Sequence, residues 1–176
     1  VLTTAERAQD LAKPPVYILG VGYAQSAYFT GSLAKGDKRH GFGLTSTVGR
    51  WAADMAFEEA GIERKDIDLA EIYDSFTITA LIQLEDAGFC KKGEGGSFVE
   101  SGRIEIGGEL PINTHGGLHS CAHFGPGGFL HYGEAVRQLR GEGGQRQVKG
   151  AKTAFVSSAA GIISTHTAAI LGREEN

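Results

Sequence analysis

Between Asn113 and Gly128 the chain places three histidines, a cysteine and five glycines within sixteen residues, then enters an amphipathic stretch. Glycine at that density lets the backbone turn tightly and approach whatever it surrounds. A helix that starts there offers unpaired N–H groups to an anion or a developing oxyanion. The chain has 27 glycines, concentrated between Gly88 and Gly144. Apolar residues stay interleaved among them, so the clustering reads as tight turns around a site rather than disorder.

The rest of the chain supplies elements to hold that segment. Thr4 is placed to cap a helix through Ala12, which Pro14 and Pro15 stop. Val16 to Tyr23 is nearly continuous in apolar residues, as in a strand buried on both faces. From Gln25 to Leu44 there is no clear period, and Gly36 to His40 reads as a solvated loop. Thr45 or Ser46 then caps a helix whose Val48, Trp51, Ala52, Met55, Ala56 and Ala60 share one face, and Gly61 ends it. Leu69 to Asp74 is a short strand, followed by a helix from Thr77 to Ala87. Lys91 to Ile112 reads as loops with a weak strand around Arg103 to Ile106. A helix from about Gly127 to Arg140 and strands at Thr153–Ser157 and Ile162–Leu171 complete the chain. The order αβ, αβ, α, α, ββ predicts a single α/β layered domain over residues 1–176, with a mixed sheet.

At 176 residues, 41% hydrophobic and 22% charged, the chain is long enough for one domain with its own core. No apolar run reaches the ~20 residues of a membrane span. A net charge of −4 leaves no footprint for nucleic acid. Cys90 and Cys121 are too few for a disulfide framework, which suits a reducing cytoplasmic setting. No leader pattern is visible, and the start at Val1-Leu2 without Met suggests a piece of a longer chain.

Two places carry candidate chemistry. His123, between a glycine-rich turn and a helix start, suits a general base or an oxyanion donor; packing of the loop by a hydrogen-bonded imidazole is the alternative. His115, His119, Cys121 and His123 are four potential metal donors in nine residues, but their spacing matches no usual zinc pattern, so no metal is expected. Tyr73-Asp74-Ser75-Phe76 sits between a strand end and a helix, the edge at which α/β sheets receive ligands. There a Tyr can exchange a proton with a substrate oxygen and Asp74 can orient a neighbour. Alternatively, Tyr73 and Phe76 fill the core and Asp74 caps the helix.

Four stretches in order then resemble the C-terminal half of a thiolase, closest to the sterol-carrier-protein type and the thiolase-like aldolases. They are Glu59-Ala60 to Asp68, Tyr73 to Phe76, Asn113 to His123, and Gln138-Leu139-Arg140-Gly141 to Lys152. The resemblance runs essentially end to end and implies a layered α/β fold with helices on both faces of the sheet. It assigns His123 to the family's Gly-His-Pro histidine, although Ala122 and Phe124 flank it here. Tyr73 stands where thiolases have Asn or His, and Ser75 stands where the sterol-carrier type has its acid/base Cys. Ser75, Asn113 and Gly161 are assigned to substrate binding, Gly161 as a backbone donor in a Ser157 to Gly161 run without the usual Cys. The nucleophilic Cys belongs to the N-terminal half.

The resemblance implies an enzyme acting on C–C bonds of acyl-CoA thioesters, with coenzyme A bound only as part of the substrate and no resident cofactor. Acyl transfer in lipid or steroid side-chain metabolism is one branch. A Ser at position 75 is a far weaker base than a thiolate, and Tyr73 beside His123 resembles aldolases that cleave β-hydroxyacyl-CoA. The resemblance further implies a homodimer, a missing N-terminal half, and a small partner protein with an oligonucleotide-binding-type fold. The fragment alone is expected to be inactive. A non-catalytic acyl-CoA-binding or assembly module is the competing reading.

Overall fold

A computed structural model describes residues 1–26, 43–121, 123, 128–161 and 163–174. The expected loop at 36–40 therefore lies outside the described residues. Four strands form one mixed sheet: β1 (Tyr17–Gln25), β2 (Leu69–Ile72), β3 (Thr153–Ala160) and β4 (Thr165–Gly172). Their order is β1-β4-β3-β2, antiparallel except for the parallel pair β2–β3. The helices are α1 (Ala5–Gln9), α2 (Gly49–Ala60), α3 (Thr77–Asp86), α4 (Gly95–Glu100), α5 (Gly117–Cys121) and α6 (Gly128–Leu139). The α/β layering with a mixed sheet is as expected.

Alternation along the strands splits the core in two. Phe155, Ala70, Ile72 and Ile170 face one side, with Ala52, Ala56, Phe57 and Leu84. Leu69, Ala154, Val156 and Leu171 face the other, against Ala135 and Leu139 of α6. Because successive strand residues point to opposite faces, the sheet is covered by α2 on one face and α6 on the other.

The strand expected to be buried on both faces is β1, and it alternates instead. Gly20, Gly22 and Ala24 are buried while Ile18, Val21 and Tyr23 are about half exposed. The reason is a close backbone approach. A Cβ on Gly22 would lie 1.8 Å from the Ala52 carbonyl oxygen, and one on Gly20 would lie 2.2 Å from that of Ala56. A helix seated that tightly accepts only small residues at the seam, so α2 buries Ala52, Ala53, Ala56, Phe57 and Ala60. Trp51 and Met55, expected on the buried face, point outward with 39% and 49% exposure. The start of α2 also moves: the Thr47 hydroxyl accepts from the Gly49 N–H at 3.0 Å, a role the sequence pattern suggests for Thr45 or Ser46.

Other departures are local. The first helix stops at Gln9, before Ala12. The weak strand around Arg103 to Ile106 is a series of turns, although the Arg103 and Ile104 carbonyls still accept from Leu110 and Ile112. Ile112 then bridges the outer edge of β2 at Ala70. That bridge carries the chain directly into Asn113.

Candidate active site

The C-terminal ends of the parallel strands β2 and β3 position the first candidate residues. Just past β2, the Tyr73 N–H donates to the Ser157 carbonyl at 3.1 Å. The buried carboxamide of Gln83 then grips the same turn. Its Nε2 donates to the Tyr73 and Thr79 carbonyls, and its Oε1 accepts from the Ser157 hydroxyl at 2.9 Å. With its backbone tied to β3 and α3, the half-buried Tyr73 extends its ring from a fixed base. Its phenolic oxygen lies 2.5 Å from His123 Nε2, with the ring centroids 5.7 Å apart and the planes at 61°. The two residues singled out from sequence, fifty positions apart, therefore meet. His123 is exposed.

Asp74 does not cap α3, the bland alternative raised from sequence. Its Oδ1 accepts from the Leu118 N–H at 2.9 Å, which fastens the start of α5 to the end of β2. This contact explains Gly117, whose φ is 65° and whose added Cβ would sit 1.9 Å from Asp74 Oδ2. Only glycine meets both conditions. Phe76 does not fill the core either; it is 68% exposed.

The three residues assigned to substrate binding are dispersed around this centre. Asn113 adopts φ 46° and uses its carboxamide on the edge of β2: Oδ1 accepts from the Ile72 N–H at 2.7 Å, and Nδ2 donates to the Ile72 carbonyl at 2.9 Å. Ser75 places its hydroxyl 3.5 Å from that of Thr79, at the start of α3. Gly161 is exposed in the turn after β3, on the same sheet edge as Tyr73, and its carbonyl accepts from the Ser164 hydroxyl. The four donors considered for a metal do not gather as a set among the described residues. His119 and Cys121 are exposed, and the Cys121 thiol points at the His115 carbonyl at 3.6 Å. Cys90 lies half-buried against the core, where burial pushes its thiol pKa up.

Behind Tyr73 is a buried polar network that sequence reading missed. Glu71 is fully buried; its Oε1 accepts from the Thr114 N–H at 3.0 Å and the Thr114 hydroxyl at 3.1 Å. Its Oε2 lies 3.0 Å from His115 Nδ1 and 3.4 Å from His131 Nδ1. Burial opposes charge on His115, but the Glu71 carboxylate, seconded by Glu134 and Asp74, outweighs it and holds the imidazole above its ordinary pKa. Glu134 shows the same balance with the opposite direction of shift. Burial pushes its pKa up, and Arg146, Gln138 and Thr114 together hold it below the usual carboxylate value. Glu71, His115 and His131 are also a group of side chains able to hold a metal ion. The missed signals were a carboxylate inside the apolar strand Leu69 to Ile72, and His131, Glu134 and Gln138 recurring on one face of α6.

With this geometry in hand, the thiolase C-terminal domain-like family matches residues 39–173. The chain belongs to that family. Among curated relatives, an acetyl-CoA acetyltransferase of Methanothermobacter thermautotrophicus is 37% identical over 174 residues, which is 98% of this chain and 44% of that protein. A 17-hydroxy-3-oxo-4-pregnene-20-carboxyl-CoA lyase of Mycobacterium tuberculosis is 37% identical over 92% of this chain and 40% of its own. The solved structure of the Ltp2-ChsH2(DUF35) aldolase superposes with a TM-score of 0.82 at 32% identity, covering 96% of this chain and 42% of that one. The chain thus spans less than half the length of these relatives.

Proposed function

We propose that the complete protein makes or breaks a C–C bond beside the carbonyl of an acyl-CoA thioester, and that this half supplies Tyr73 and His123 as its proton-exchanging pair. One observation carries the reading: the Tyr73 hydroxyl within 2.5 Å of His123 Nε2 at the C-terminal edge of a parallel strand pair. An imidazole at that distance can take the phenolic proton while the phenol oxygen takes one from a substrate hydroxyl.

Retro-aldol cleavage of a β-hydroxyacyl-CoA is the branch these residues favour. The pair removes the β-hydroxyl proton, the Cα–Cβ bond breaks, and the β-carbon becomes a carbonyl. The bonding electrons pass to the thioester as an enolate, and the proton returns to Cα to release a shortened acyl-CoA. No acyl-enzyme forms, so the chemistry does not need a cysteine at Ser75. The acyltransferase branch needs one thiolate to carry the acyl group and a base for the α-proton. Both activities occur among the relatives, which supports the shared chemistry on CoA thioesters.

One structural neighbour is an aldolase named for two proteins, Ltp2 and ChsH2. By extension a small partner protein would complete this enzyme, alongside the N-terminal half and a second copy. Free Cys90 and Cys121 suit a cytoplasmic setting. Among the described residues no helix is long and apolar enough to cross a membrane.

The decisive experiment is turnover of β-hydroxyacyl-CoA by the full-length protein carrying Tyr73→Phe. A fall of about 100-fold or more with unchanged acyl-CoA affinity is expected. Near-normal turnover would remove the aldolase branch. Acyl-CoA binding with no turnover by the unmodified protein would turn the reading into a binding module.

A further inference from the structure

The buried network behind Tyr73 is rich in carboxylates. Glu71, Glu134 and Asp74 are 0%, 1% and 7% exposed. Arg146 closes on Glu134, with Nη2 to Oε2 at 3.0 Å. Glu71 and Asp74 face instead the imidazoles of His115 and His131. Buried carboxylates are costly unless something positive pairs with them.

The donors converge as a coordination site would require. One ligand atom from each of Glu71, His115 and His131 lies within 4.8 Å of the others. Glu71 Oε2 is 3.0 Å and 3.4 Å from the two Nδ1 atoms. These separations suit the edge of about 3.3 Å in a tetrahedron with bonds of about 2.0 Å. Two imidazoles and one carboxylate select a first-row transition ion over Ca²⁺ or Mg²⁺, which want oxygen ligands.

A second, independent observation comes from the rings themselves. The His115 side chain is 8% exposed, and its Nδ1, facing Glu71 Oε2 at 3.0 Å, is buried without a hydrogen-bond partner. His131 Nε2 lies 3.6 Å from Asp74 Oδ1, beyond hydrogen-bond distance but on the side from which an outer carboxylate would support a ligating imidazole. His131 itself is fully buried.

We propose that Glu71, His115 and His131 form a buried binding site for a divalent first-row transition ion of the zinc type, with at least one further position open. The ion pairs with the buried carboxylates and ties β2, the Asn113–Gly117 segment and α6 together beneath Tyr73. The site is read by metal content, so it stands or falls independently of the reaction proposed above.

The test uses the purified full-length chain, stripped by a chelator and dialysed against Zn²⁺ or Co²⁺. One equivalent per chain is expected, with visible ligand-field absorption for Co²⁺. His115→Gln and His131→Gln should each weaken Zn²⁺ binding by more than ~100-fold, beyond the 10–100-fold typical of residues around a ligand shell. A variant combining His119→Ala with Cys121→Ser removes two exposed donors next to the site and should bind as the parent does. If the Gln variants fail to fold, as read by circular dichroism, stoichiometry and the Co²⁺ spectrum of the parent decide. Metal below ~0.1 equivalent in the parent, unchanged binding in folded Gln variants, or loss in the His119/Cys121 variant each overturns the proposal.

Discussion

On one face of the sheet, β1 brings Gly20 and Gly22 against the backbone of α2 at Ala52 and Ala56, with Phe57 stacked on Phe155 alongside. On the other, β2 brings Glu71 toward His131 and the α6 side chains of Glu134 and Gln138, linked through Thr114. The first face gains its stability from close approach and dispersion, which need no partner of a particular chemistry. The second needs every acceptor matched to a donor, because an unmatched buried polar group costs more than a bond yields. The second face is also the one next to Tyr73. Tyr73 is thus held from both sides, its backbone by Gln83 and Ser157 beside the first face and its side chain next to the polar network of the second.

The largest expected effect breaks the dry face. Gly22→Val sets a branched side chain against the Ala52 carbonyl, a backbone atom that cannot move aside. A loss of about 3 kcal/mol or more is expected from denaturant unfolding of the full-length protein. A loss below ~1 kcal/mol would mean that strand and helix are not in contact. On the polar face, Thr114→Val keeps the side-chain volume and removes the hydroxyl that bonds Glu71, Glu134 and Gln138. About 2 kcal/mol should be lost, and turnover should fall further than it does in a dry-face variant of equal stability. Equal activity losses at matched stability would erase the distinction between the faces.

The sequence reveals these two faces unequally. The helices α2, α3 and α6 and the strands β3 and β4 follow from apolar period and from flanking glycine and threonine, because packing imposes those patterns locally. Tyr73 and His123 are paired through a family resemblance, and the geometry brings them into contact; their role in catalysis is a separate matter for assay. Glu71 escapes notice because its partners Thr114 and His131 lie 43 and 60 residues away. Period and spacing carry no record of such long-range pairing. The outward turn of Trp51 and Met55 is hidden for the opposite reason. Their spacing fits the buried face, but the backbone of β1 comes too near to admit them.

A smaller effect tests Asn113, which sequence reading assigns to substrate. Its carboxamide is bonded at both ends to Ile72. Asn113→Gly keeps the left-handed backbone and loses both bonds, so stability should drop by about 1–2 kcal/mol. A lower kcat with unchanged KM fits a positioning residue. A raised KM with unchanged stability would restore the direct substrate contact.

The smallest expected effect concerns the one imidazole on the dry side among the described residues. His166 of β4 is buried beside Gly49, where an added Cβ would lie 2.9 Å from its Nδ1, and its Nε2 faces the Ile163 carbonyl at 3.2 Å. Burial lowers its pKa, against smaller opposing influences from that carbonyl and from Asp86. The unfolded chain therefore binds this proton more readily than the folded one. His166 favours folding fully above the ordinary imidazole value of about 6.5, and that contribution is lost as pH falls through 6.5 toward the lower folded value. His115 shifts the other way, so the two histidines oppose each other in the wild-type profile. Unfolding of His166→Gln and its parent across this window separates them. The variant should lose less stability on acidification than the parent does. Parallel curves would show that His166 takes up its proton as easily folded as unfolded, and the dry face would then be open to water at β4.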